Sequence, residues 1–199
     1  MKELDYKNLT DAEIKQWLKI NFPYKEMTEE EINKQIIENF GQEKLDELNA
    51  LSKIDSLNIK LSEYLGIKPI PVIFENLGIE DARYYLKEDY IAINSKYVHD
   101  ELELKKSLIH ELRHVYQRYT MKNNDSKMVC ANDYLVCLWI EDTLKFPKLT
   151  QEEKLATTIE VDAFAFTKYI LKKWFNIEYH HYDKLYDNLL DQFIKKFYD

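Results

Sequence analysis

Apolar positions in the first third of the chain recur with a helical period, and the helix starts are marked. Thr10 with Glu13, and Thr28 with Glu31, each pair an N-cap hydroxyl with a carboxylate three residues on, the capping-box signature. These predict helices over about 11–20 and 29–40, separated by Asn21-Phe22-Pro23. A third, over about 42–65, should stop at Gly66, which suits a left-handed C-cap. Glu29-Glu30-Glu31 then reads as a first turn that complements the positive end of its helix. The texture changes next. Ile70-Pro71-Val72-Ile73-Phe74 and Tyr90-Ile91-Ala92-Ile93-Asn94 are short and rich in β-branched residues, with Arg83-Tyr84-Tyr85-Leu86 between them. That pattern predicts a small antiparallel three-stranded sheet, turned near Gly78 and at Glu88-Asp89. Beyond Asp100 the helical period returns, with capping pairs Asp100/Glu103 and Thr150/Glu153 and helices expected near 101–120, 129–145, 151–174 and 183–198. The class is α+β, mostly helical, with an N-terminal helical region over 1–66 and a second domain over 67–199.

Composition narrows the chemistry. The 199 residues contain three glycines, Gly41, Gly66 and Gly78, too far apart to build a dinucleotide fingerprint, a Walker A loop or a Gly-x-Ser-x-Gly elbow. Chemistry must therefore come from side chains on regular elements. A net charge of −8, with no basic arm, argues against binding to nucleic-acid backbones. Cys130 and Cys137 are seven apart in an apolar stretch, about 10 Å along a helix, beyond disulfide reach, and read as two buried thiols. The opening residues have no apolar signal core, and the longest apolar run, Tyr134 to Ile140, is too short to span a bilayer. The expectation is a cytoplasmic protein with no membrane partner.

The segment from Ser107 to Gln117 contains the pattern H-E-x-x-H, formed by His110, Glu111 and His114. On a helix the two histidines are one turn apart and project from one face, so both imidazoles can reach one ion. Glu111 is rotated off that line and can act as a base toward an attacking water. The helix is indicated independently, by an apolar stripe of Leu104, Leu108, Leu112, Val115 and Tyr119 that lies away from the histidines. A catalytic zinc site needs a third protein ligand. Glu160 and Asp162 are acids within the apolar run Leu155 to Phe166, where an unpaired carboxylate is costly. Glu160 is the preferred ligand, with Asp162 a partner for a histidine N–H or a surface acid. Alternatively, both acids pair with Arg or Lys at a rim.

The order of these features resembles the zincin metallopeptidases, and within them the minimal ImmA/IrrE-like group. The residues that carry the resemblance are the strand Tyr90-Ile91-Ala92-Ile93-Asn94, the helix of His110-Glu111-Leu112-Arg113-His114, and Glu160 followed by Ala163 and Phe166. It covers roughly residues 68–172. Arg113 stands where that group commonly has glycine, and a helix around Met128–Leu144 lies between His114 and Glu160. The resemblance implies a zincin-like fold with the sheet packed on the H-E-x-x-H helix, and a zinc-dependent peptidase acting on a protein or peptide. His110, His114 and Glu160 would be its Zn2+ ligands and Glu111 its general base. Tyr116, His180 and His181 are the candidates for stabilising an oxyanion. The strand at 89–94 would offer its edge to an extended substrate. The competing expectation is a non-enzymatic zincin-like regulatory or interaction protein whose metal is structural or vestigial.

Overall fold

The computed structural model describes residues 28–123 and 131–198. The helix expected over 11–20, with its Thr10–Glu13 pair, and Cys130 lie outside the described residues. The chain divides into two compact units, Met1–Leu45 and Asp46–Asp199. In the first, α1 (Glu29–Phe40) begins on the full Thr28–Glu31 capping box.

The division falls inside α2 (Gln42–Leu65), whose later turns carry a core stripe. Ala50, Ile54, Leu57, Leu61 and Leu65 recur every three or four residues and are buried in the same cluster as Ile91, Leu104 and Leu108. Gly66 ends the helix with φ +68°. Its neighbour Ile67 donates its N–H to the Ser62 carbonyl, closing a Schellman turn that L side chains enter only with strain.

β1 (Val72–Glu75), β2 (Ala82–Tyr85) and β3 (Tyr90–Asn94) form one sheet in the order β1-β3-β2. The sheet is mixed, not antiparallel as predicted. β3 runs parallel to β1, with Val72 opposite Ile91, and antiparallel to β2, with Tyr85 opposite Tyr90. The cause is burial: Ile91, Ala92 and Ile93 have no exposure, so this strand is apolar on both faces and takes the centre. β1 and β2 are half-exposed and flank it. Asn94 closes the arrangement by donating its side-chain amide to the Gly78 and Glu80 carbonyls of the β1–β2 connection.

α3 (Glu101–Asn123) starts on Asp100, whose carboxylate accepts the Glu103 N–H at 3.0 Å. Leu104, Leu108, Leu112 and Val115 are buried, and so are Ile109 and Tyr116 alongside that stripe. Tyr119 is exposed and leaves the predicted stripe. α4 (Asp133–Lys145) turns Leu135, Val136 and Trp139 inward. Cys137 falls on the outer side of that register and is exposed, contrary to expectation.

The helix predicted over 151–174 is two helices, α5 (Gln151–Leu155) and α6 (Thr158–Phe175). The break occurs because Thr157 is extended and caps α6, while Asp142 of α4 accepts the Thr158 N–H at 2.5 Å. α7 (Lys184–Phe197) packs Leu190 and Phe193 against α6. Among the described residues no helix is long and apolar enough to cross a membrane. The class is therefore α+β, dominated by helices around a small mixed sheet.

Candidate metal centre

α3 and α6 pack against each other and bring three side chains to one point. His110 and His114 project from α3 one turn apart. Glu160 stands in the first turn of α6, where the capping oxygen of Thr157 and the carboxylate of Asp142 hold the backbone. The His110 and His114 Nε2 atoms are 3.0 Å apart. Glu160 Oε2 lies 3.4 Å from His110 Nε2, and Glu160 Oε1 lies 3.5 Å from His114 Nε2. Three ligand atoms on a tetrahedral zinc, each about 2.0–2.1 Å from the ion, stand about 3.3–3.4 Å from one another. The observed separations, 3.0 to 3.5 Å, are of that order, the two Glu160 contacts being made by different carboxylate oxygens. Two imidazole lone pairs at 3.0 Å repel unless a proton or a metal ion lies between them, so the donor set fits a cation. His110, His114 and Glu160 are the group of metal-capable side chains found among the described residues.

The charges agree. Burial disfavours a charged imidazole, but the Glu160 carboxylate beside His114 outweighs it and raises the ring to about 9. Burial likewise opposes a charged Glu160, and the two histidines hold it well below the usual carboxylate range. Without a metal the site is an ion pair, with a proton where a metal would bind.

The rings are held differently. His110 packs against Phe164 with centroids 4.5 Å apart. His114 Nδ1 is 2.8 Å from Gln117 Oε1. The Gln117 amide nitrogen donates to the Ile159 carbonyl at 2.9 Å and to Asp162 Oδ2 at 2.6 Å. Asp162 is fully buried, so it is not a surface acid, and it reaches His114 only through Gln117. It does pair with an arginine, but in the core rather than at a rim. Arg113 donates from Nε and Nη2 at 2.8 and 3.0 Å, and Tyr198 donates its hydroxyl to the same carboxylate. The Arg113 guanidinium lies against the rings of Tyr116, Phe166, Trp139 and Tyr198. Burial works against its charge, and Asp162 more than compensates, raising it above the ordinary arginine range.

The three groups open into a cleft of about 1060 Å³, which Glu111 also lines. One wall is β2 and the segment before it, from Ile79 to Tyr84. Among the described residues β2 pairs with β3 alone, so its outer edge is free. The strand expected to offer an edge, 89–94, is paired on both sides and has none.

Of the three candidates for stabilising an oxyanion, His181 lines the cleft. Its Nδ1 accepts the Asp183 N–H at 3.2 Å, which leaves the proton on Nε2. His180 is exposed, with Nδ1 3.0 Å from Asp187. Tyr116 is buried edge-to-face on Trp139 and lines no part of the cleft. Sequence reasoning missed Gln117, although its three-residue step from His114 places it one turn further along the same helix. Asp142 and Tyr198 gave no local signal, because both act across elements. Comparison of the chain with protein-family models, with curated proteins and with solved structures finds no match in any of the three.

Proposed function

We propose that the chain is a zinc-dependent peptidase of zincin type, hydrolysing peptide bonds of a protein or peptide. The observation that carries this reading is the convergence of His110, His114 and Glu160, whose ligand atoms lie close enough to share one ion and which open into a cleft beside Glu111. Two histidines and a carboxylate suit zinc and leave a fourth position for the reacting molecule. Bound there, the ion supplies Lewis acidity that polarises a carbonyl and makes water acidic near neutral pH.

The chain's residues do the rest. Glu111 accepts a proton from the attacking water and returns it to the leaving nitrogen. A site that only stabilised the fold would need no such base. The free edge of β2 gives an extended peptide a strand to pair with along the cleft wall. His181, which lines the cleft with its proton on Nε2, could donate to a developing oxyanion.

The test is hydrolysis of a broad peptide library by the purified chain. Cleavage that falls by at least about a hundredfold in Glu111→Gln, the lower end of what a positioned base contributes, supports the reading. Cleavage that survives Glu111→Gln overturns it, and so does zinc binding with no cleavage of any substrate. The second result would favour the non-enzymatic alternative.

A further inference from the structure

We propose that Gln117 is the positioning residue of the metal centre: its amide, clamped between the Ile159 carbonyl and Asp162, fixes the proton of His114 on Nδ1 and so presents the Nε2 lone pair to the ion. This rests on the metal-centre reading above and adds to it the means by which one ligand is kept in its binding form.

The argument is one of donor and acceptor supply. A primary amide has one oxygen that accepts and one nitrogen that donates twice. Both Gln117 donors are committed to acceptors that carry no proton, the Ile159 carbonyl at 2.9 Å and Asp162 Oδ2 at 2.6 Å. Turning the amide over would set its oxygen against a carbonyl and a carboxylate and aim its NH2 at the His114 ring. Only one orientation satisfies all the groups, and it faces Oε1 to His114 Nδ1 at 2.8 Å. His114 must therefore donate from Nδ1.

Asp162 cannot move aside to relax this constraint. It is fully buried, and Arg113 and Tyr198 hold both of its oxygens. Gln117 is itself buried, with 1% exposure, so water does not compete for its amide. A free neutral imidazole exchanges between two tautomers, one of which places a proton on the metal-binding nitrogen. Locking the other tautomer removes that cost. The clamp comes from Ile159 and Asp162, which flank Glu160 in α6, so the helix that supplies the third ligand also sets the proton of the second.

The test combines zinc affinity, measured by competition with a chromophoric chelator, with nitrogen-15 NMR of the imidazoles. In the wild-type chain the His114 Nδ1 proton is expected to be protected from exchange. Gln117→Met keeps the volume and removes the amide, and it should weaken zinc binding about 10- to 100-fold, the usual cost of losing a partner that orients a ligand. Gln117→Glu keeps an acceptor for His114, and as the protonated acid can still donate to Asp162. It should bind zinc more tightly than Gln117→Met. Zinc affinity unchanged in Gln117→Met, or a wild-type ring with no proton on Nδ1, overturns the proposal. Should Gln117→Met fail to fold, the wild-type imidazole spectrum decides alone. Should the wild-type chain bind no zinc, the metal-centre reading falls, while a protected Nδ1 proton on His114 would still support the Gln117 clamp.

Discussion

Arg113 shows at the scale of one residue how the site is tied to the core. It occupies a variable position within H-E-x-x-H, yet it is fully buried, and its charge is matched by Asp162, 49 positions on. A buried ion pair adds little over apolar packing of the same shape, but removing one member leaves an uncompensated charge. Arg113→Met is therefore expected to lower unfolding stability by about 3–5 kcal/mol, read from denaturant titration. A loss below about 1 kcal/mol would mean that Asp162 is satisfied without it. Part of the site was legible at this scale. His110, Glu111 and His114 are close in sequence, and the cost of a carboxylate in an apolar run drew attention to Glu160. The Arg113–Asp162–Gln117 chain was not legible, because its members meet only when α3 packs on α6. Sequence spacing carries no record of which buried acid finds which base.

At the scale of elements, α4 braces both helices of the site. Trp139 packs edge-to-face on Tyr116 of α3, and Asp142 binds the first N–H groups of α6. That second contact fixes the turn carrying Glu160. Asp142→Ala is expected to cost about 1 kcal/mol, as loss of a helix cap does, and to weaken metal binding without changing any ligand. Thermal melts and chelator competition on the same sample check both parts. A stability loss with unchanged metal affinity would detach α4 from the site. The helices were read well where caps and periodicity are local: α2 begins and ends at the predicted residues, and α1 carries its capping box. The sheet was read less well. Strand existence follows from local composition, but strand order depends on which strand is apolar on both faces, a comparison among segments. The break at Thr157 escaped because Asp142, which helps make it, lies 15 positions earlier.

At the scale of the whole molecule, Asp187 of α7 ties α6 and the histidine segment together. It accepts from Lys168 at 2.7 Å and from the His181 N–H at 2.9 Å, with His180 Nδ1 at 3.0 Å. Burial pushes its carboxyl up, but these donors prevail and hold it below the ordinary 3.8. A carboxyl whose folded value is depressed stabilises the fold at pH above its unfolded value. That contribution is lost as pH falls through the lower folded value. Between neutral pH and the ordinary carboxylate range the contribution is complete, and it declines only in stronger acid. Asp187→Asn is thus expected to be less stable than the wild type at neutral pH, with the gap closing below pH about 3.8. Denaturant titrations at a series of pH values measure this. A gap independent of pH would show that Asp187 acts without its charge.

The central proposal is that His110, His114 and Glu160 hold a metal ion. Metal content of the chain purified without chelator tests it most directly. About one zinc per chain is expected in the wild type and in Glu111→Gln, and none in His114→Ala or Glu160→Ala, since structural and catalytic zinc alike require their protein ligands. A wild-type chain without metal, or one whose zinc survives both ligand substitutions, would contradict the account.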